Sequence, residues 1–142
     1  MASPEAEFRA LLDSRSEAIR KKDIDQLMSF YSPDIVYFDV VPPLQYVGSA
    51  ALRDRFRHWF DGFSGPIGQE VHDLTVRVTG DAGAAFMLVR ASGTLQNGIE
   101  IGRWVRVTSY GHRSPDRWLV EHEHVSLPVD VATGMAAVDL VP

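Results

Sequence analysis

Asp39, Glu121 and Glu123, with His122 and His124, are the residues whose types and spacing could do chemistry. Four of them lie in one stretch, RWLVEHEHVSLP, residues 117–128. Side chains alternate along a strand. Trp118, Val120, His122, His124 and Ser126 would therefore share one face, and Leu119, Glu121, Glu123, Val125 and Leu127 the other. Imidazoles turned into a cavity would suggest a metal site, whereas glutamates there would suggest acid/base catalysis or cation binding. A mononuclear metal site needs a third ligand and usually a fourth, so the imidazoles would have to recruit His58, His72 or a distant carboxylate. We expect no metal on that ground. Two glutamates enclosed together would disfavour each other's ionisation, and Arg106, on the preceding strand, could neutralise one.

Asp39 follows the apolar run IVYF, which puts it at a strand end. A carboxylate beside aromatic rings has its charged form disfavoured, which suits a general base working near neutral pH. The plainer alternative is a turn residue capping the Pro42-Pro43 loop. Arg106 could grip a carboxylate, phenolate or enolate with its planar fork, or serve an ordinary cross-strand pair with a glutamate. Arg15 lies on the apolar face of a helix, where it either covers the core with its stem or touches a ligand. Gly62, Gly65 and Gly68 lack the strand before and the helix after that make a phosphate-cradling loop, which argues against nucleotide binding.

Helices come first in the chain that must position these groups. From Glu5 to Lys22, Phe8, Leu11, Leu12, Ala18 and Ile19 fall at helical spacing behind a Ser3-Pro4 cap. DIDQLMSFY reads as a short second helix starting near Asp23 or Asp25 and stopped by Ser32-Pro33. Ser49 can cap a third, AALRDRFRHWF, with Leu52, Phe56, Trp59 and Phe60 on one stripe. IVYFDV is a short strand. Beyond Gly68 the segments EVHDLTVRV, AAFMLVRASGTL, IEIGRWVRVTSY and RWLVEHEHVSL alternate, separated by Gly80-Asp81, Asn97-Gly98 and GHRSPD, which are turn signals. Helices followed by antiparallel strands predict an α+β domain: a cone-shaped, strongly curved antiparallel sheet with three N-terminal-half helices packed on its concave face. The open mouth of such a cone is a natural small-molecule site.

The 142 residues fit one domain, 1–142, large enough to bury its own core. No apolar run approaches the ~20 residues that span a bilayer. A net charge of −5 argues against a nucleic-acid backbone as partner, and the lack of cysteine excludes disulfides, thiolate nucleophiles and sulfur-ligated zinc. The opening MASPEAEFRA is acidic where a secretory leader would be basic, so we expect a cytoplasmic protein whose partner is a hydrophobic small molecule or another protein.

VYFDVVPPLQYVGSAALRDRF, an aspartate at a strand end followed by a proline loop, a glycine and a helix, resembles the SnoaL-like, ketosteroid-isomerase-like branch of the nuclear-transport-factor-2-like superfamily. WVRVT, WLVEHEHVSLPVD and TGMAAVDL are similar to the same group, so the likeness covers nearly the whole chain. The resemblance implies that Asp39 is the catalytic base. The isomerases hold their oxyanion with a tyrosine and a protonated aspartic acid. The resemblance places Arg15 at the first position and Arg106 or Thr108 at the second, so the neutral-donor arrangement is missing. It also implies that Leu119, Glu121, Glu123 and Val125 face the cavity together with Trp104, Arg106 and Thr108. Trp118, Val120, His122 and His124 would then form an outer face apolar enough to drive homodimerisation.

Two functions follow as expectations. In the first, a cofactor-free isomerase, cyclase or dehydratase acts on a hydrophobic carbonyl-bearing or polyketide-like compound. Asp39 moves the proton, Arg106 stabilises negative charge and Glu123 orients or relays. Arg15, Tyr46, Trp59, Phe60, Trp104, Thr108 and Glu121 contact the substrate, with the Tyr46 hydroxyl as a donor at the mouth. Phe38 and Phe86 help line the cone. In the second, the chain is a non-catalytic dimeric ligand-binding or interaction module, its cavity merely occupied or plugged by Trp104, Trp59 and Phe60.

Overall fold

The computed structural model describes residues 2–142. Three helices and a curved six-stranded sheet make an α+β fold, as the order of periodicities predicts. Helix α1 (Pro4–Lys21) is capped by the Ser3 hydroxyl, which accepts from the backbone N–H of Ala6, and Pro4 opens its first turn. Helix α2 is shorter than expected, Ile24–Met28, with Asp23 as its cap. Tyr31 and Pro33 belong instead to strand β1 (Tyr31–Phe38). After the two-residue β2 (Tyr46–Val47), helix α3 (Ser49–Asp61) begins. Gly48 rather than Ser49 occupies its cap, and no side chain closes it. Its positive φ of 89° suits a residue without Cβ.

Four long strands follow: β3 (Gly68–Thr79), β4 (Ala82–Thr94), β5 (Glu100–Arg113) and β6 (Trp118–Ser126). They form the antiparallel run expected from their alternation, and the sheet order is β2-β1-β6-β5-β4-β3. The sheet is not antiparallel throughout, because β1 joins β6 in parallel. A small hairpin of β7 (Val129–Asp130) and β8 (Met135–Ala136), not foreseen from the pattern, ends the chain's regular structure. Among the described residues no helix is long and apolar enough to cross a membrane.

Between α1 and the sheet, Phe8, Leu12, Val76, Ala85, Met87, Val89, Val107 and Trp118 form one core. Phe8 stacks on Trp118 with ring centroids 4.9 Å apart. Its ring lies so close to β4 and β5 that a Cβ on Gly83 would come within 2.7 Å of it and one on Gly111 within 3.1 Å. The two glycines thus let α1 seat against the narrow end of the cone. The second core, under α2 and α3, contains Leu27, Tyr31, Ile35, Tyr37, Leu52, Phe56 and Ile67.

One bulge determines which side chains line the interior. Tyr110 pairs with His122 but Gly111 pairs with Val120, so Glu121 has no partner on β5. An extra residue on one strand reverses the facing of everything beyond it. Trp118 and Val120 are buried on the inner side before the bulge, and Glu123 and Val125 are inward after it. Strict alternation along 117–128 does not hold, and the expectation of Trp118 and Val120 on the outer face is overturned.

Candidate active site

Inside the cone lies a cavity of about 450 Å³. Its walls are mostly aliphatic and aromatic: Val89, Ala91, Leu95 and Ile101 from the β4–β5 hairpin, Val105 and Val107 from β5, Val125 and Leu127 from β6, and Phe56, Trp59 and Phe63 from and beyond α3. Arg15, Tyr31, Tyr37, Asp39, Arg55, His58, Gln69, Arg103 and Glu123 contribute its polar side chains.

Arg15 and Glu123 meet at the closed end, 3% and 1% exposed respectively. The guanidinium Nη1 donates to Glu123 Oε2. The Ser109 hydroxyl donates to the same oxygen at 2.5 Å, and the Tyr31 hydroxyl donates to Oε1 at 2.7 Å. Glu123 is therefore held by one cation and two hydroxyls, which is how a buried carboxylate becomes tolerable. Burial opposes the charge on Arg15, but the adjacent Glu123 carboxylate outweighs it and holds the guanidinium above its ordinary range. Arg15 Nε has no partner among the described residues, while Nη2 reaches only the Met87 sulfur, at 4.0 Å. Burial, then the Glu123 charge, drives the Tyr31 hydroxyl well above its usual value, so it stays protonated and donating.

Asp39 stands in the cavity wall just past the end of β1. Its Oδ2 accepts from Arg55 Nε at 2.8 Å, and its Oδ1 accepts from the Val40 backbone N–H at 2.7 Å. Arg55 comes from α3, whose inner stripe of Leu52, Phe56 and Trp59 presents it toward the strand end. Two residues before Asp39 on the same face is Tyr37, only 5% exposed, with its ring edge-on to Phe56 at 5.6 Å. Burial, then the charges of Glu123 and Asp39, pushes its hydroxyl well above the usual value. His58 and Arg103, both exposed, line the cavity as well.

A family model described as a SnoaL-like domain matches residues 9–130. The chain belongs to the SnoaL-like domain family. An NTF2-like protein of unknown function from Pseudomonas putida is 32% identical, with a TM-score of 0.88 over 97% of this chain and 96% of that one. A ketosteroid isomerase-like protein from Erwinia carotovora is 16% identical (TM-score 0.75, 89% and 97% covered). A candidate dehydratase of the NTF2-like family from Streptomyces avermitilis is 18% identical (TM-score 0.77, 85% and 93% covered). The last two likenesses show the fold alone. No functionally curated protein gives a significant match.

In this SnoaL-like chain, of the residues expected to be catalytic or to contact substrate, the cone brings together Asp39, Arg15, Glu123 and Trp59. It does not bring in the others. Inward positions on β5 are Arg103, Val105, Val107 and Ser109. Arg106, Trp104 and Thr108 therefore occupy the opposite, outer face, one residue out of the expected phase. Arg106 is exposed there and donates to the Ser126 hydroxyl at 3.0 Å, and Trp104 packs edge-on against His72 at 4.8 Å. Glu121 is exposed at the bulge. Phe60 is buried in the core behind the cavity. The Tyr46 hydroxyl donates to the Pro42 carbonyl at 2.9 Å, outside the cavity. Phe38 and Phe86 likewise lie away from the cavity, Phe38 edge-on to His122 and His124 at 4.7 and 5.3 Å. The two imidazoles face outward as expected, with His122 Nδ1 2.7 Å from the Val36 carbonyl. Tyr37, Tyr31, Arg55 and Ser109 were not anticipated. Tyr37 was accessible to sequence reasoning, because it shares a face with Asp39 by strand spacing, whereas Ser109 depends on the register of β5 against the bulge.

Proposed function

We propose that this SnoaL-like protein is a cofactor-free acid/base enzyme of the isomerase, cyclase or dehydratase type, acting on a hydrophobic carbonyl-bearing or polyketide-like compound with Asp39 as general base. The observation that carries this reading is a carboxylate set into the wall of an otherwise largely apolar, open cavity of about 450 Å³, large enough for a small polycyclic ligand. Arg55 orients that carboxylate from one side and the Val40 N–H from the other, each leaving an oxygen lone pair for a substrate proton. Glu123, almost wholly enclosed and held by Arg15, Tyr31 and Ser109, supports the cavity floor rather than moving protons. Trp59 and the aliphatic wall supply the apolar contact.

Enolisation is tested without knowing the natural substrate. In D₂O, 2-tetralone exchanges its α-protons on enolisation, and proton NMR follows the loss. Wild-type protein should accelerate the exchange, and Asp39→Asn should lower the enzymatic rate by roughly 10²–10⁴-fold, the usual worth of one positioned acid/base group. Equal exchange in both proteins would remove Asp39 from the chemistry. The partners already held by both Asp39 oxygens favour a second reading, a non-catalytic dimeric ligand-binding module. Tight binding of 2-tetralone with no accelerated exchange would select it.

In either reading we propose a homodimer through the outer sheet face. Phe86, 53% exposed, and Tyr110, 39% exposed, lie there beside Trp104 and the His122–His124 pair, an apolar surface that a second copy would cover. Light scattering should give twice the chain mass, and Phe86→Asp should halve it. A wild-type monomer at every concentration would end the proposal.

A further inference from the structure

Strand register arranges the interior of the cone in layers from its closed end outward. At the floor, Ser109 pairs with Glu123 on one side and with Ala85 on the other. An apolar row of Val125, Val107 and Met87 follows, and beyond it Val105 pairs with Val89. The next row toward the mouth is polar. Arg103 pairs with Ala91 and Ala91 with Gln69, and all three line the cavity. A guanidinium thus interrupts an inner face that is otherwise aliphatic from Val107 to Ile101.

Three arginines and two carboxylates line the cavity. Arg15 is paired with Glu123, and Arg55 with Asp39. Arg103 is exposed and has no ion-pair partner among the described residues. The lining therefore holds an uncompensated positive charge in a chain whose net charge is −5. Low-dielectric walls focus such a field into the cleft and raise the local concentration of an oppositely charged ligand.

The same register fixes the level of Arg103 relative to Asp39. Phe38, His124 and Thr108 pair across β1, β6 and β5. Because β1 and β6 run parallel and β5 runs against them, Asp39, Val125 and Val107 stand together one residue nearer the mouth. From Val107 to Arg103 is four residues of strand, about 13 Å. The unpaired cation is thus separated from Asp39 along the length of the cavity, with Val105 and Val89 between their levels. We propose that Arg103 binds a carboxylate at the end of the substrate remote from the carbon that Asp39 deprotonates, and that the substrate class is therefore an amphipathic carboxylic acid whose apolar body lies between the two. A single guanidinium offers the bidentate fork that matches one carboxylate, and Gln69 and His58 add N–H donors to the lining. The inference rests on the reading of the cavity as the substrate site with Asp39 at its reactive end.

Decanoate and decan-1-ol share an apolar chain comparable in length to that span and differ in charge, so the ratio of their affinities isolates the carboxylate. Calorimetric titration of both in about 0.1 M salt, where exposed charges more than about 10 Å apart are largely screened, tests the proposal. Arg103→Gln should weaken decanoate binding about 5-fold, the upper worth of a partly exposed charge pair, and leave decan-1-ol binding unchanged. Arg103→Lys should keep part of the preference, and Arg106→Gln, on the outer face, should keep all of it. Raising the salt to about 1 M should lower the acid-to-alcohol ratio in wild type but not in Arg103→Gln. A ratio identical in wild type and Arg103→Gln would overturn the inference while leaving the exchange test of Asp39 standing. Failure of both ligands to bind the wild type would overturn the cavity as the binding site, and the Arg103 inference with it.

Discussion

Both ends of the cone are built around an arginine and a carboxylate, and they differ in what the pair has left to offer. At the closed end Arg15 and Glu123 are almost wholly enclosed, and Tyr31 and Ser109 complete the carboxylate's partners. At the open end Arg55 and Asp39 keep 15% and 8% of their side chains exposed and border the largely apolar cavity. Burial and three partners on the carboxylate turn the first pair into architecture. The second pair has fewer partners and more exposure, as the proposed role of Asp39 requires. Two pairs of the same chemical type are thus told apart by their burial and by how many partners each carboxylate already holds, not by charge.

The largest effect should come from breaking the closed-end pair. Glu123→Ala leaves the Arg15 guanidinium buried and uncompensated, so urea unfolding should show a loss of about 3–5 kcal/mol. Replacing both partners together, Arg15→Met with Glu123→Leu, removes the stranded charge and should recover most of that loss. A single variant as stable as the wild type would mean the pair is not structural, and the contrast between the two ends would fail. Gly83→Ala acts on the same end through packing. Its new Cβ would meet the Phe8 ring, which is wedged against Trp118, and overpacking of this kind costs about 1–3 kcal/mol. Thermal unfolding by circular dichroism measures it, and an unchanged midpoint would show that α1 can shift freely.

The phenols extend the comparison to high pH. Tyr31 and Tyr37 have their pKa values raised in the folded state, by burial first and by the Glu123 charge second. The folded chain therefore holds these two protons more tightly than the unfolded chain does. The stability they confer is complete below about pH 10, the ordinary tyrosine value, and is lost as pH rises beyond it. Absorbance at 295 nm should show two of the four tyrosines ionising only together with unfolding. Normal ionisation of all four in the folded protein would mean that water reaches the cavity floor.

Much of the fold is legible in the residue pattern, since Phe8, Leu12 and Ile19 mark α1 and the alternating apolar residues mark β3 to β6. The site is legible only in part, and the reason is a single residue. Nothing in EHEH announces that Glu121 is unpaired, because a bulge is set by how two strands fit around Gly111 and the Phe8 ring, a tertiary matter. Glu123 was nevertheless correctly turned inward, because it lies beyond the bulge, while Trp118 and Val120 before it were not. On β5 the pattern RWVRVT contains apolar residues in both phases, so Trp104 and Val105 compete for the interior. The smaller Val105 and Val107 take the inner face, and Trp104 packs outside on His72. Arg55 escaped notice because a helix arginine gains meaning only from the strand end it reaches.

The smallest expected stability change is at the mouth, and its smallness is what distinguishes the two ends. Asp39→Asn retains an oxygen that can accept from the Val40 N–H, and it surrenders only the charge facing Arg55. The guanidinium left behind borders the open cavity and can be hydrated there, unlike Arg15. Exposed or partly exposed ion pairs are worth about 0–1 kcal/mol, so urea unfolding of Asp39→Asn should differ from wild type by no more than about 1 kcal/mol while proton exchange in 2-tetralone collapses. A loss of stability as large as that of Glu123→Ala would make Asp39 a second structural carboxylate. Loss of exchange with stability intact would separate reactivity from architecture at positions drawn from the same two residue types.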